Sequence, residues 1–269
     1  MPILPDFELI QHSFYGGHDI TIVPIFDVHL GSQQCMEQEF ISFIDWVKKT
    51  PNVYLVIGGD LCDNGTKSSL TSPFRAVMPP SQQKKEMANI LKPVRDRCLV
   101  FVPGNHEKRS GKDADDDPIL DIASMLDLEH LYRENIAFLK IQMGTAKSKS
   151  GDRANGLYRP TYTLCVVHGS GGGMLPGAAL NRNTQFGNCI DNLDCLIVGH
   201  THKPLMSQPS KLVIDTRNNI VTERPFKVVI ATSWLRYGGY AASKMLLPAS
   251  HCINTLTLRG NKKEMLVTM

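Results

Sequence analysis

Thr21-Ile22-Val23-Pro24-Ile25-Phe26-Asp27-Val28-His29-Leu30-Gly31 passes abruptly from an unbroken apolar run to an acid and a histidine. A strand buried on both faces reads as a continuous, largely β-branched run, so the polar residues fall at its carboxyl end. The pattern recurs along the chain. Val53 to Ile57 leads into Gly59-Asp60, Cys98 to Val102 into Gly104-Asn105-His106, Leu164 to Val167 into His168-Gly169, and Cys195 to Val198 into Gly199-His200-Thr201-His202. In an open α/β sheet the loops beyond such strand ends line one crevice, where residues distant in sequence can meet around one substrate.

Between these runs the first half alternates strand and helix. After a strand over Asp19 to Phe26, residues Phe40, Phe43, Ile44 and Val47 recur at helical spacing, and Pro51-Asn52 closes that helix before the next strand. This is a βαβ unit, which implies a parallel strand pair. A long polar loop, Asn64 to Ser81, precedes a second helical stripe at Met87, Ile90, Leu91 and Val94. A third helix starts at Pro118, with Asp117 as N-cap and Ile119, Ile122, Ala123 and Leu126 on its buried side. The acidic run Asp113, Asp115, Asp116, Asp117 is read as helix-start chemistry rather than a metal cage, because carboxylates there are stabilised by the helix dipole. Residues 146–159, with Lys147, Lys149, Arg153 and Arg159, are read as an exposed loop after a strand near Ile136 to Met143; a phosphate contact is the alternative. Beyond His202, strands are expected around Leu212 to Asp215, Ile220 to Thr222, Lys227 to Ala231 and Ile253 to Leu258, with a turn at Asn218-Asn219. These suggest antiparallel strands closing a second sheet.

With 42% hydrophobic and 20% charged residues, the 269-residue chain can bury a full core, which excludes fibrous, collagenous and broadly disordered classes. One domain over 1–269 is expected. A net charge of +3 permits an anionic substrate but falls short of a dedicated nucleic-acid coat. No apolar run reaches the roughly 20 residues needed to cross a bilayer, and the first seventeen residues include Asp6 and Glu8, so a cytoplasmic location without membrane partners is expected. Seven cysteines without a Cys-x-x-Cys pair favour neither a disulfide framework nor a thiolate zinc site. Cys62, beside Asp60, is read as a small packing residue rather than a nucleophile.

Taken together, the strand-end residues supply donors for two divalent ions. Such a pair needs a shared carboxylate, for which Asp60 is the natural candidate, and it lowers the pKa of a bound water so that hydroxide can attack phosphorus. Carboxylate, imidazole and amide donors suit manganese, iron, zinc or nickel; magnesium alone would not call for so many histidines. Phosphate-ester hydrolysis is the leading reaction class. His106 adjoins Asn105, and imidazole is a side chain well suited to general acid catalysis. Asp63 and Glu107 are candidates for orienting a ligand imidazole or fixing a loop, with turn chemistry as the alternative, and Lys108 and Arg109 for steering an anion. His12, His18, His130 and His251 are read as ordinary surface or hydrogen-bonded residues.

Asp27-Val28-His29, Gly59-Asp60-Leu61-Cys62-Asp63, Gly104-Asn105-His106-Glu107, His168-Gly169 and Gly199-His200-Thr201-His202 resemble, in order, the five motifs of the calcineurin-like metallophosphoesterases. The resemblance implies an α/β fold with a two-sheet β-sandwich of mixed sheets flanked by helices, a four-layer metallophosphoesterase architecture. It implies Asp27, His29 and His202 as ligands of one metal, Asp60 as the bridge, and Asn105, His168 and His200 as ligands of the other. His106 then contacts the scissile phosphate and protonates the departing oxygen, and manganese is the expected metal.

Asn64 stands where the protein phosphatases of the superfamily carry an arginine, which weakens a phosphoprotein reading. Asp27-Val28-His29-Leu30-Gly31 is similar to the first motif of its DNA repair nucleases, although Glu107 replaces their usual Asp. The loop Gly169-Ser170-Gly171-Gly172-Gly173 offers backbone amides to a phosphate or simply a permissive turn. With Tyr237-Gly238-Gly239-Tyr240, it is similar to bacteriophage and prophage members, which implies a phage-encoded protein of the host cytoplasm. The expectation is a phosphodiesterase acting on nucleic acid or a nucleotide derivative. A phosphomonoesterase and a catalytically silent metal-bearing binding module are the alternatives.

Overall fold

The computed structural model describes residues 7–66, 69, 75–144, 159–171 and 175–269. A five-stranded sheet has the order β13-β12-β2-β3-β4, from β2 (Ile20–Ile25), β3 (Val53–Ile57), β4 (Cys98–Phe101), β12 (Thr255–Leu258) and β13 (Met265–Thr268). A six-stranded sheet has the order β1-β5-β6-β7-β11-β8, from β1 (Leu9–Tyr15), β5 (Ile136–Gly144), β6 (Thr161–Val167), β7 (Cys195–Val198), β8 (Leu205–Ser207) and β11 (Lys227–Ile230). Both sheets are mixed. The strands that carry the motifs run parallel within each sheet, β2 with β3 and β4, and β6 with β7. The architecture is therefore an α/β sandwich of two sheets with helices outside them.

One continuous core runs over both sheets, drawing Ile20, Ile22, Ile25, Leu55 and Ile57 from one and Leu139, Ile141, Leu164 and Ile197 from the other. Fully burying each such side chain contributes about 1.5–3 kcal/mol. The helices α1 (Glu37–Lys49), α2 (Pro80–Leu91) and α4 (Pro118–Met125) pack beside the five-stranded sheet. On the other flank, α5 (Pro176–Asn188) covers β7 and β11 over a smaller cluster of Leu193, Leu196, Phe226 and Val228. No helix of the described residues is long and apolar enough to cross a membrane.

The expected strands and helices of the first half recur within a few residues. Asp117 caps α4 by accepting from the backbone N–H groups of Ile119 and Leu120. The rest of the acidic run divides differently from expectation. Asp113 lies within α3 (Asn105–Ala114), Asp115 ends that helix in the left-handed region, and Asp116 pairs with Lys84 at 2.6 Å.

The second half corrects the reading of antiparallel strands closing a second sheet. Strand β11 runs parallel to β7 inside the six-stranded sheet, whereas β12 and β13 return to the five-stranded one. The expected antiparallel pairing is kept by β12 with β2 and β13, and by β9 (Ser210–Asp215) with β10 (Ile220–Pro225), a hairpin that stands as a separate two-stranded ladder. Its turn is held by the Asp215 carboxylate, which accepts from the N–H groups of Arg217 and Asn218. Lys147, Lys149 and Arg153 lie outside the described residues, as do Gly172, Gly173 and part of the 64–81 loop.

Candidate metal centre

Phe26 ends the first apolar run as a wedge between the two sheets. A Cβ on Gly58 would stand 1.8 Å from its ring, and one on Gly199 would stand 2.3 Å from it. The glycines before Asp60 and His200 thus let the strand ends of opposite sheets close on a shared aromatic ring. A second close approach joins the loops after β3 and β4. A Cβ on Gly59 would lie 2.1 Å from the Gly104 nitrogen, and one on Gly104 would lie 2.0 Å from Asp60 Oδ1. Both loops meet backbone to backbone, which is why glycine precedes Asp60 and Asn105.

Hydrogen bonds then fix each side chain. Asp27 Oδ2 accepts from the His200 N–H at 2.8 Å, and Asp60 Oδ1 from the His106 N–H at 2.8 Å. His168 Nδ1 sits 2.8 Å from the Gly58 carbonyl, which can only accept, so Nδ1 carries a hydrogen and Nε2 is the nitrogen that a neutral ring would offer to a cation. That Nε2 lies 3.3 Å from Asp60 Oδ2 and 3.1 Å from Asn105 Oδ1. His202 Nε2 stands 3.3 Å from Asp27 Oδ1 and 3.4 Å from His29 Nε2, which is 3.8 Å from Asp60 Oδ2. Asp60 Oδ2 therefore lies between the two groups of nitrogens.

Three donor clusters result: Asp27, His29 and His202; Asp60, His168 and His200; and His29, Asp60 and His106. All seven residues expected as ligands come together, and His106 adjoins them with Nε2 3.9 Å from Asp60 Oδ2. The donor set is compatible with divalent ions on two counts. Donors about 2.1 Å from a common ion are separated by roughly 3.0–3.4 Å, close to the spacings here. In addition, Asp27 Oδ1 is buried and, among the described residues, has no partner of hydrogen-bond geometry, its near neighbour being the His202 ring nitrogen at 3.3 Å; leaving such an oxygen unsatisfied costs about 1–3 kcal/mol.

The electrostatics are those of a buried acid–imidazole cluster. Burial opposes the charge on Asp60, but His168 and His106 outweigh it and hold the carboxyl well below its ordinary range. Burial likewise opposes charge on His168, yet Asp60 and Asp27 push its pKa up to about 10. His29 is driven well below the usual imidazole range by burial and then by neighbouring His106.

The residues around this centre separate into distinct roles. Glu107 is buried and accepts three backbone N–H groups, from Asp60 at 2.8 Å, Gly104 at 2.9 Å and Cys62 at 3.1 Å. It ties together the loops that carry Asp60 and Asn105, which goes beyond turn chemistry. Burial, and next the charge of Asp60, push its pKa up to about 7. The Asp63 carbonyl receives His106 Nδ1 at 2.7 Å, while its carboxylate stays 4.0 Å from His29 Nδ1. Asn64 is turned inward and buried, its amide donating to the His106 carbonyl and to Ser110 Oγ. Arg109 approaches His106, whereas Lys108 binds the Asn135 side chain at the surface. Cys62 is buried and burial raises its thiol pKa well above normal, in keeping with a packing residue. His12 and His251 bond the carbonyls of Leu99 and Ser233.

Two residues that the sequence did not single out support the site. Gln83 of α2 is fully buried, accepting from Asn64 N at 2.9 Å and donating to Met78 O at 2.8 Å. Its position four before Met87, on the buried stripe of the helix, was the available signal. Trp234 donates its backbone N–H to the Asp27 carbonyl at 2.9 Å; nothing in the local sequence marks that contact.

The family model of the calcineurin-like phosphoesterases matches residues 27–204, so the chain belongs to that family. Over 106 residues it is 29% identical to the DNA polymerase II small subunit of Methanothermobacter thermautotrophicus, covering 33% of this chain and 21% of that protein. The same subunit from Pyrococcus furiosus is 29% identical over 122 residues, covering 39% and 19%. The chain thus matches about a fifth of the length of these relatives. Among solved structures, the NAD nucleotidase of Haemophilus influenzae superposes with a TM-score of 0.40 at 10% identity, over 95% of this chain and 50% of that one.

Proposed function

We propose that residues 1–269 act as one domain, a phosphodiesterase that uses two divalent ions, manganese foremost, to hydrolyse a nucleic-acid or nucleotide-type diester. The reading rests above all on the convergence of Asp27, His29, Asp60, Asn105, His168, His200 and His202 around Asp60 Oδ2, with His106 alongside. In this reading Asp27, His29 and His202 hold one ion, Asn105, His168 and His200 the other, and Asp60 both. When bound, the ions supply an acidified water and Lewis-acid contacts to the phosphate. His106 uses Nδ1 to hold the Asp63 carbonyl, so Nε2 is the atom that holds the proton passed to the departing oxygen. Glu107 keeps the Asp60 and Asn105 loops in register. A diester is favoured over a monoester because Asn64 is buried and already bonded, leaving no arginine at that position for the additional phosphate charge. The names of the two archaeal relatives, subunits of a DNA polymerase, support a nucleic-acid substrate.

The test uses bis-p-nitrophenyl phosphate and p-nitrophenyl phosphate with manganese, comparing wild type, His106→Ala and Asp60→Asn, with bound metal measured for each. Turnover of the diester should fall by about 10²–10⁴-fold in His106→Ala with metal retained, and Asp60→Asn should lose metal as well. Brisk monoester turnover without diester turnover would overturn the diester assignment. Equal inertness of all three proteins across manganese, iron, zinc, nickel and magnesium would overturn catalysis. Oligonucleotides of DNA and RNA, assayed at two salt concentrations, test the nucleic-acid class.

A further inference from the structure

We infer that Arg109 binds a phosphate of the substrate on the leaving-group side, one linkage beyond the phosphate under attack, so that the favoured substrate is a polynucleotide-type diester. The inference rests on the phosphodiesterase reading above and extends it. Arg109 stands three residues after His106 on α3, hence on the same helical face, with Nη1 3.3 Å from His106 Nδ1. That ring nitrogen already donates to the Asp63 carbonyl, so the guanidinium contact is not a hydrogen bond and leaves the arginine donors unused there. Among the described residues its other side-chain hydrogen bond is a long one, 3.4 Å to Ser69 Oγ.

Among the described residues no carboxylate lies at ion-pair distance from Arg109. Arg95, Arg133, Arg236 and Arg259 each pair with one, whereas Arg97, Arg182 and Arg224 donate to carbonyl oxygens instead. A half-buried guanidinium that lies in the field of Asp63 but at ion-pair distance from no carboxylate of the described residues is suited to an anion that arrives with the substrate. Its position sets which anion. The Nε2 end of His106 faces Asp60 and the attacked phosphate, and Arg109 lies at the opposite, Nδ1 end. Since His106 protonates the departing oxygen, the arginine lies along the departing arm. Asn64 cannot take this role, because its amide is committed to His106 O and Ser110 Oγ.

The experiment compares manganese-loaded wild type, Arg109→Gln and Arg109→Lys on a dithymidine diester carrying a terminal phosphate and on the same diester ending in a hydroxyl. The phosphate is placed at each end in turn, and the departing end is read from the products. Wild type should show kcat/KM about tenfold or more higher with the phosphate on the departing nucleoside, as for one charge-assisted contact. In Arg109→Gln that ratio should fall to about one, and Arg109→Lys should restore part of it. Melting temperature and bound metal establish that the variants remain folded and loaded. A wild-type ratio near one, or an undiminished ratio in Arg109→Gln, overturns the role of Arg109 while bis-p-nitrophenyl phosphate turnover leaves the parent reading standing. Inertness of wild type on every diester overturns both.

Discussion

Replacing Glu107 tests whether the site is built by the strut that joins its loops. Its carboxylate accepts from three buried N–H groups, those of Asp60, Cys62 and Gly104. Glu107→Ala orphans all three, at about 1–3 kcal/mol each; water entering the vacated space keeps the total near the lower bound, about 3–4 kcal/mol. For a chain of this size that corresponds to a fall in melting temperature of about 6–16 °C. Glu107→Gln retains one acceptor oxygen, which can serve Asp60 and Gly104 as Oε2 does, but turns an amide donor toward the Cys62 N–H. Its cost is offset in part by relief of the burial and Asp60 repulsion that push the glutamate pKa up to about 7. The expected net loss is about 1–2 kcal/mol, or roughly 2–8 °C. Melts followed by circular dichroism in chelator isolate this effect from metal binding, and metal content measured after reconstitution should be lower in Glu107→Ala. An alanine variant that melts within 2 °C of wild type, about the lower bound for 1 kcal/mol, would refute the strut, as would a glutamine variant less stable than alanine.

Other perturbations probe different parts of the molecule. Gly104→Ala places a Cβ 2.0 Å from Asp60 Oδ1 and 2.5 Å from its nitrogen, so activity and bound metal should be lost even if the protein melts cooperatively; a fully active variant would contradict the close approach of the loops. Adding manganese at about 100 times its Kd to chelated protein should stabilise it by about 2.7 kcal/mol, a response that Asp27→Asn should largely abolish in a thermal shift assay. Thiol titration of folded protein should label exposed Cys189 first, and leave Cys35, Cys62, Cys98, Cys165 and Cys195 unreacted until denaturant is added. Burial opposes the charge of Lys84, but its bonds to Asp116 and Asp121 prevail and raise its pKa above 10.5. A raised lysine pKa contributes stability that is complete below the unfolded value and fades as pH climbs through the folded one. The melting difference between wild type and Lys84→Met should therefore hold steady from pH 7 to 9 and narrow above about 10.5; a difference that widens there would be the wrong sign.

How much was legible in the sequence depended on how each element is buried. β2, β3, β4, β6 and β7 were readable because they are covered on both faces, which leaves a continuous apolar run that stops where the loop begins. The donors at those strand ends were visible for the same reason. α3 was not, since its buried residues are Glu107 and Ser110 rather than an apolar stripe. The sheet membership of β11 and β12 was also hidden: a strand's pattern reports which faces are covered but not which neighbour supplies the hydrogen bonds. Nor could the sequence tell which way Asn64 points, because that depends on Gln83 arriving from α2.

The backbone supplies a further reason for the residue types at the site. Asp27, His29, Asp60, His200 and His202 all adopt positive φ, between 51° and 66°. Left-handed backbone costs an ordinary L-residue about 1–2 kcal/mol, and five such residues together approach the roughly 5–15 kcal/mol by which a domain is stable at all. Asp and His are among the side chains found in this region more often than most, while β-branched residues there are genuine outliers. The same residues can therefore both turn the chain sharply at a strand end and donate to a cation. The strain is held by contacts from outside the motifs' own strands: Glu107 beneath Asp60, the Trp234 N–H on the Asp27 carbonyl, and the Asp27 carboxylate on the His200 N–H. Substituting a donor by a bulky apolar residue would remove a ligand and leave a residue poorly suited to the bend, so the motif positions are constrained twice over, once by chemistry and once by the turn.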